Sequence, residues 1–449
     1  MSDWALRRLH FIGIGGAGMS GLALVCAELG ATVSGSDRAD SSYMERLRAA
    51  GLDPAIGHDA ANLPEGAEVV VSTAIGEDNP ELALARERGV EPIHRGALLA
   101  ELCAEKRLIA VAGTHGKTTT TAMLVWALRA LGADPAFFVG GEVPGLGREP
   151  VNAAWGAGEW VIAEADESDA SFLELRPEIA VVTNIEMDHH SRWGSVAELS
   201  EAFRKFVSPA SGMVLPVESA LEVGSIRSFE TPTDILYGEA RETKRVVRFS
   251  PEVPGDALSL AVGGCHNRLN ARAALAAIEL AGLDIAKAAT ALADFPGVGR
   301  RLERKGEWEG AQVYDDYAHH PTEVRAALEA LREMDPQWLV AVFQPHLYSR
   351  TKALAEGFGE ALALADEVIV LDVYPAREQP VGDLAGVSGL DVARPTADRI
   401  GGKRVVWAPA LGEALRASRR SLAAGDVLVT IGAGDVVKLG EALIGGTDL

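Results

Sequence analysis

Cysteine is nearly missing from this sequence. Among 449 residues only Cys26, Cys103 and Cys265 occur. They lie far apart and form no CxxC pair, so neither a zinc site nor a disulfide framework is suggested, and core thiols are the expected state of all three. Long apolar runs are missing too. No stretch reaches the roughly 18 residues that a membrane span requires, and segments such as 362–373 are short and interrupted by acids. The N-terminus, MSDWALRRLHFIGIGG, passes directly into a strand and a glycine turn, without an apolar signal core and a small-residue cleavage site. A cytoplasmic protein with no membrane association is expected. Positive charge is short as well. The 42 Lys and Arg face 64 Asp and Glu, a net charge of -22, which argues against nucleic acid as a partner because it normally needs a basic footprint. A phosphate-bearing substrate must then be held by local devices, helix N-termini and metal, and not by the field of the whole protein.

What is present describes an ordinary globular chain, 48% hydrophobic and 24% charged, with a length that suggests about three domains. Up to residue 103 strand and helix signals alternate. Runs at 9–14, 32–35 and 69–72 read as strands and 19–29 and 43–50 as helices, a βαβ pattern of the doubly wound kind. A second α/β unit starts with a strand at 108, adds strands at 160–163 and 179–183, and runs to about residue 295, where PGVGRR offers a Pro/Gly joint. A third begins near residue 301 and alternates strand-like runs at 339–343, 367–371 and 427–431 with helical ones. Neither a short internal repeat nor a low-complexity tract interrupts this order.

The most informative segment is LIAVAGTHGKTTTT, residues 108–121. Apolar β-formers break into a glycine turn, and Lys117 with four threonines follows. Such a turn presents backbone N–H groups and a helix N-terminus to phosphates, the lysine reaches the terminal phosphate oxygens, and the Thr118 hydroxyl can sit on Mg²⁺. The strict Walker spacing fails, since Val111 stands where the first glycine belongs and Gly113 comes late. Strand, turn, Lys-Thr and helix still follow in order, with Met123, Leu124, Ala127, Leu128 and Leu131 on one stripe and Gly132 as the stop.

A second glycine loop, GIGGAGMSG at 13–21, satisfies G-x-G-x-x-G at Gly13, Gly15 and Gly18, with Asp37 about 20 residues on where a Rossmann acid would contact a ribose. Three readings stay open for it: the dinucleotide site of a nicotinamide-dependent dehydrogenase, the diphosphate site of another nucleotide such as a nucleotide sugar, and a purely structural turn. An independent ATP-type cradle in the next unit weighs against the dehydrogenase.

Two further segments, EADESDASF at 164–172 and TNIEMDHHSRW at 183–193, each follow a strand that should end on the same sheet edge as the phosphate loop, where ligands collect in open α/β folds. Glu164, His189, a threonine hydroxyl and ATP oxygens together suit Mg²⁺. Asp166, Glu167 and Asp169 read equally well as a solvated acidic loop. Seven of ten histidines, His115, His189, His190, His266, His319, His320 and His346, fall in such loops, where chemistry is a commoner role than packing. In CHNRLNARAALAAIELAG, 265–282, the residues His266, Asn267 and Asn270 can hydrogen-bond a purine edge or simply cap a helix. VYDDYAHHPTEV at 313–324 and QPHLYSRT at 344–351 each leave a strand, turn and start a helix, placing Asp, His, Tyr and Arg at one rim of their domain.

Together GIGGAGMSG, AGTHGKTTTT, EADESDASF, TNIEMDH, HNRLN, DDYAHHPTEV and QPHLYSRT resemble the Mur ligases of peptidoglycan synthesis, in the right order over nearly the whole chain. GIGGAGMSG and DDYAHHPTE resemble the alanine-adding branch, with the branch that reattaches recycled tripeptide as the nearest rival. The resemblance implies an α/β protein of three domains in series: a Rossmann-like N-terminal domain for the UDP-sugar (1–103), a central P-loop ATPase-type domain with a mostly parallel sheet (104–300), and a C-terminal Rossmann-like α/β domain for the amino acid and part of ATP (301–449). It implies ATP and Mg²⁺ as cofactors and UDP-N-acetylmuramate and L-alanine as substrates, with no oligomeric state indicated. The first glycine loop should then hold a UDP diphosphate. Gly15, Gly16, Gly18, Met19, Ser20, Asp37, Ser72 and Thr73 would bind that substrate. Gly113, Thr114, His115, Gly116, Lys117, Thr118 and Thr119 would bind ATP phosphates, with Lys117 on the γ-phosphate. Thr118, Glu164 and His189 look like the metal shell, His266, Asn267 and Asn270 the adenine site, and Asp316 lies in a segment that meets the nucleotide. Tyr317, His319, His346 and Arg350 would hold alanine and the reacting carboxylate. Leu347 stands where many relatives carry Arg, which leaves that function to Arg350 or another cation. Lys205, the only lysine between Lys117 and Lys244, is not assigned the carbamylated-lysine role known in several relatives.

Overall fold

The protein is described by a computed structural model covering residues 3–147, 151–188, 192–217, 236–237, 243–250, 258–376 and 378–449. Among the described residues the strands form three sheets, and no helix is long and apolar enough to cross a membrane. Contacts divide the chain into two compact units, 1–260 with 269–296, and 261–268 with 297–449.

The first unit carries two sheets. The N-terminal one is wholly parallel, in the order β3 (Ala55–Ile56), β2 (Thr32–Asp37), β1 (Arg8–Ile12), β4 (Glu68–Val71), β5 (Ile93–His94). The chain leaves β1 and crosses to β2 on one side and later to β4 on the other, so the glycine loop after β1 sits at the point where strand order reverses. The following helix, Ala17–Glu28, starts two residues earlier than the apolar pattern suggests. Its glycines are tolerated because packing requires them: a Cβ on Gly21 would lie 2.9 Å from the Cβ of Ala153 in the neighbouring sheet. The second sheet is ordered β12 (Arg245–Phe249), β11 (Gly212–Pro216), β10 (Ile179–Val182), β6 (Arg107–Ala112), β9 (Trp160–Glu164), β7 (Ala136–Val143), β8 (Val151–Ala154). All pairs are parallel except β7 with β8. The interior strands are nearly unbroken apolar runs, as a sheet covered on both faces requires.

Register fixes where the site lies. Val111 of β6 pairs with Glu164 of β9, and Ala112 pairs with Val182 of β10, so the loops after these three strands leave the sheet at one level. A single apolar cluster runs through both sheets of this unit, from Leu9, Phe11 and Leu98 to Ala110, Phe138 and Val161. Phe172 anchors the acidic segment to it by ring contacts with Phe203 and Phe206 at 5.3 and 5.2 Å.

The second unit holds a sheet ordered β13 (Glu303–Trp308), β14 (Ala311–Asp316), β18 (Val427–Ile431), β15 (Leu339–Phe343), β16 (Glu367–Val370), β17 (Arg404–Trp407), parallel except for β13 with β14. Apolar clusters cover its two faces. The strands expected at 339–343 and 427–431 coincide with β15 and β18. The antiparallel pair β13 and β14 turns through Glu309 (φ +49°) and Gly310 (φ +85°), a two-residue hairpin whose glycine the strand-helix alternation does not use. One expectation about the thiols is corrected. Cys26 and Cys103 are buried, whereas Cys265 is exposed at the first residue of the helix Cys265–Leu280.

Candidate active site

The phosphate loop is a tight turn closed by glycine geometry. Gly113 (φ +136°) and Gly116 (φ +78°) adopt backbone conformations that disfavour other residues, and a Cβ on Gly113 would collide with Thr183 Oγ1. Gly116 lies just before the helix Lys117–Ala130. The segment after β10 clips this loop from the side. His115 N donates to Asn184 Oδ1 at 2.9 Å, Thr183 Oγ1 donates to His115 O at 2.5 Å, and Thr114 Oγ1 donates to Glu186 O at 2.9 Å. The loop is thus held while the amides of the helix start are left for an anion. Thr119 is buried in the first turn of that helix, and Thr120 Oγ1 meets Asn270 Oδ1 at 3.3 Å.

Lys117 Nζ donates to Gly113 O at 2.6 Å and Thr114 O at 3.1 Å and lies 2.9 Å from Glu167 Oε2. Burial works against its charge, but Glu167, Asp166 and Glu164 outweigh that and hold the ammonium above its ordinary range. Glu167 is 1% exposed. Burial pushes its carboxyl up to about 7, against the opposing pull of Lys117. The solvated-loop reading of 166–169 is therefore corrected: Glu167 faces inward to the lysine, and Asp166 and Asp169 both engage Arg95 Nη2, at 2.9 and 2.8 Å. The physical reason is local folding, since Asp166 Oδ1 accepts from Ser168 N and Asp169 Oδ1 from Ser171 N, which winds the segment instead of extending it into water.

Thr118 Oγ1 donates to Glu164 Oε1 at 2.9 Å, and Gly140 N donates to Glu164 Oε2 at 2.7 Å. Two of the three expected metal ligands thus meet beside the phosphate loop, both through hard oxygen atoms that suit Mg²⁺. His189 and His190 lie outside the described residues.

In the first sheet, Gly13 has φ +82°, and Gly15 N donates to Asp37 Oδ2 at 2.9 Å. Asp37, expected at a ribose, here braces the turn itself. Gly16 precedes the helix start, Gly18 lies in its first turn, and the side chains of Met19 and Ser20 are buried, with Ser20 Oγ bonded to Ala17 O. Ser72 and Thr73 follow β4 directly, and Thr73 is exposed.

In the second unit, His266 and Asn267 open the helix Cys265–Leu280. Burial holds the His266 imidazole down at about 4, so it is neutral near pH 7, and Asn267 Nδ2 donates to Gly263 O at 2.7 Å. Asp316, at the end of β14, accepts from Leu302 N and Ala318 N, both at 2.7 Å. Burial raises it to about 6, with Arg301 opposing. Beyond it Tyr317, His319 and His346 form successive edge contacts at 5.5 and 6.0 Å, and Arg350 Nη1 lies 3.2 Å from His346 Nδ1. Leu347 (φ +68°) caps the helix Tyr348–Leu362. The only cation of this turn is therefore Arg350, which is 6% exposed. Lys205 is exposed on the helix Val196–Val207.

Sequence reasoning passed over several residues that touch this machinery. Tyr374 stacks on His346 at 5.9 Å, Arg300 and Arg301 lie over the Tyr317 ring, and Arg95 grips the acidic segment. Only Arg95 carried a usable signal, a cation in the first turn of a helix, where the dipole disfavours it.

Three family descriptions match in series: "Mur ligase family, catalytic domain" over residues 8–107, "Mur ligase middle domain" over 111–278 and "Mur ligase, glutamate ligase domain" over 300–434. The chain is 44% identical over 457 residues to the UDP-N-acetylmuramate–L-alanine ligase of Renibacterium salmoninarum, covering 98% of this chain and 96% of that protein. The crystal structure of the UDP-N-acetylmuramate–alanine ligase of Thermotoga maritima superposes with TM-score 0.80 at 29% identity over 98% of both chains. That of a murein peptide ligase from Psychrobacter arcticus does so with TM-score 0.71 at 22% identity over 98% of both, a likeness of fold.

Proposed function

This chain belongs to the Mur ligase family, and we infer that it joins L-alanine to the lactyl carboxylate of UDP-N-acetylmuramate, with ATP converted to ADP and phosphate, in peptidoglycan precursor synthesis. One observation carries the reading. A short glycine cradle sets Lys117 Nζ against Glu167 and Thr118 Oγ1 against Glu164 at the carboxyl ends of three parallel strands. The relative covering 98% of the chain at 44% identity bears that activity in its name.

The chemistry asks the protein for positioning and charge neutralisation. A lactyl carboxylate oxygen attacks the γ-phosphorus of ATP, the bond to the β-bridging oxygen breaks, and an acyl phosphate and ADP result. The amine of L-alanine then attacks the acyl carbon, and phosphate leaves from the tetrahedral intermediate with the bridging oxygen while the nitrogen loses a proton. Lys117 exchanges its contacts with Gly113 O and Thr114 O for γ-phosphate oxygens. Thr118 and Glu164, with His189, would hold Mg²⁺, which when bound neutralises phosphate charge. We assign the UDP-sugar to residues 1–103 through Gly15, Gly16, Gly18 and the segment at Ser72 and Thr73, and ATP to 104–300. Residues 301–449 take L-alanine, with Tyr317, His319, His346 and Arg350 around it. We assign the reaction to the cytoplasm, where ATP and nucleotide sugars are at hand.

The test offers UDP-N-acetylmuramate and ATP with L-alanine, glycine, L-serine or the recycled tripeptide and measures phosphate. Release with L-alanine supports the reading. Release with tripeptide alone would reassign the chain to the recycling branch, and nicotinamide binding without ATP turnover would make it a dehydrogenase.

A further inference from the structure

The helix Arg95–Cys103 begins with an arginine, against the preference of a helix N-terminus for negative charge. Its guanidinium explains the exception. Nη2 lies 2.9 Å from Asp166 Oδ2 and 2.8 Å from Asp169 Oδ2, while a Cβ on Gly18 of the first glycine loop would lie 3.4 Å from Nη1. The start of the helix is pressed onto the acidic segment, because a Cβ on Gly96 would collide with the Cβ of Ser171. His94 Nδ1 accepts from Gly96 N at 3.2 Å, and His94 Nε2 lies 3.8 Å from Asp169. Between the two gripped aspartates, Glu167 turns the other way and meets Lys117 Nζ at 2.9 Å, and its carbonyl accepts from Trp193 Nε1 at 3.1 Å.

We propose that Arg95 is a positioning residue for phosphoryl transfer: by holding Asp166 and Asp169 it sets Glu167, and through Glu167 the place of Lys117 Nζ. Arg95 touches neither phosphate nor metal ligand in this scheme. It follows the last strand of the N-terminal sheet and reaches the ATP loop only through the acidic segment, which makes it a mechanical link between the two sites of this unit. Local rules of sequence are broken where function requires it, and Arg95 at a helix start is such a place. The proposal rests on the ligase reading given above.

The test is a double-mutant cycle on the full chain with Arg95→Met, Glu167→Gln and the pair, reading phosphate release at saturating UDP-N-acetylmuramate, ATP and L-alanine. Arg95→Met should lower kcat roughly 10- to 100-fold, the effect of misplacing a reacting group by about an ångström, with KM for the nucleotide sugar changed by less than about threefold. In the Glu167→Gln background the same change should cost little more, since both act on one lysine. Arg95→Lys, which keeps one charge but not the fork, should recover part of kcat. Additive effects, an unchanged kcat, or a raised KM for the nucleotide sugar with kcat intact would overturn the proposal, the last making Arg95 a substrate ligand. Should Arg95→Met not fold by melting temperature, Arg95→Lys alone decides through its kcat against KM. If the unaltered protein released no phosphate with L-alanine, the ligase reading would fail instead.

Discussion

Replacing Lys117 by alanine separates catalysis from folding and from sugar binding. In the folded chain the ammonium is held by two loop carbonyls, Gly113 O and Thr114 O, and by Glu167. Its removal takes the only positive group beside Glu167 that the loop itself supplies. Losing a preorganised positive group at a transferring phosphoryl costs on the order of 10³-fold or more in turnover. Stability should suffer less than the ~3–5 kcal/mol of a bared buried ion, because burial already lifts Glu167 to about 7 and it takes a proton instead of standing as a naked charge. The cost expected is about 1–3 kcal/mol, that of an incompletely bonded buried polar group. Lys117 holds the Glu167 carboxyl down against burial, so without it that carboxyl rises above 7; the variant goes on losing stability at pH values where the parent's carboxyl is already ionised, and the loss should grow as pH rises past 7. Phosphate release measures the first effect, melting at several pH values the second, and calorimetric titration of UDP-N-acetylmuramate the third. Sugar affinity should stay within about threefold of the parent, because the first glycine loop lies on another sheet. Turnover above a tenth of the parent, or loss of sugar binding, would refute the assignment of Lys117 and of the two sheets.

Glu164→Gln keeps an acceptor for Gly140 N, lets Thr118 Oγ1 turn to accept from the new NH2, and removes the charge, so the Mg²⁺ concentration giving half-maximal rate should rise about tenfold or more while melting changes little; a Mg²⁺ titration reads it. Gly113→Ala should abolish ATP binding and lower stability by about 1–3 kcal/mol, since φ is +136° and the new Cβ meets Thr183 Oγ1, as ADP titration and thermal melts will tell. Buried Glu81 is bound by His10, Ser36, Asn62 and Asp59 N at 3.1, 2.6, 2.9 and 3.1 Å. Burial alone would raise its carboxyl, but these bonds hold it at about 2. Its stabilisation is therefore present above the unfolded value of 4.5 and lost as pH falls toward 2. Glu81→Gln should thus cost up to about 3 kcal/mol at pH 7 and almost nothing near pH 2, by denaturant unfolding at both.

Much of this fold was legible because its signals are local. The apolar runs around Leu108, Trp160 and Ile179 are buried parallel strands that need no partner to be recognised, and the glycines at 113 and 116 announce a turn that only they can make. The three-domain α/β order followed from the chain length, the alternation and the Pro/Gly joint near residue 295. What escaped depends on contacts distant in sequence. Glu167 looks like Asp166 and Asp169 until the winding of the segment turns it toward Lys117, and nothing near Tyr374 announces its stacking on His346. Cys265 was misjudged because burial of a thiol is decided by what its helix start faces, not by composition.

Direct phosphorylation of the lactyl carboxylate at the Lys117 loop is open to an isotope test. UDP-N-acetylmuramate labelled with ¹⁸O in both oxygens of that carboxylate, turned over with ATP and L-alanine, reports it by mass spectrometry of the released phosphate. Direct phosphorylation requires one ¹⁸O in each phosphate, carried across when the acyl phosphate forms and is cleaved at carbon. Phosphate formed at the same rate without label, or without L-alanine, would contradict it.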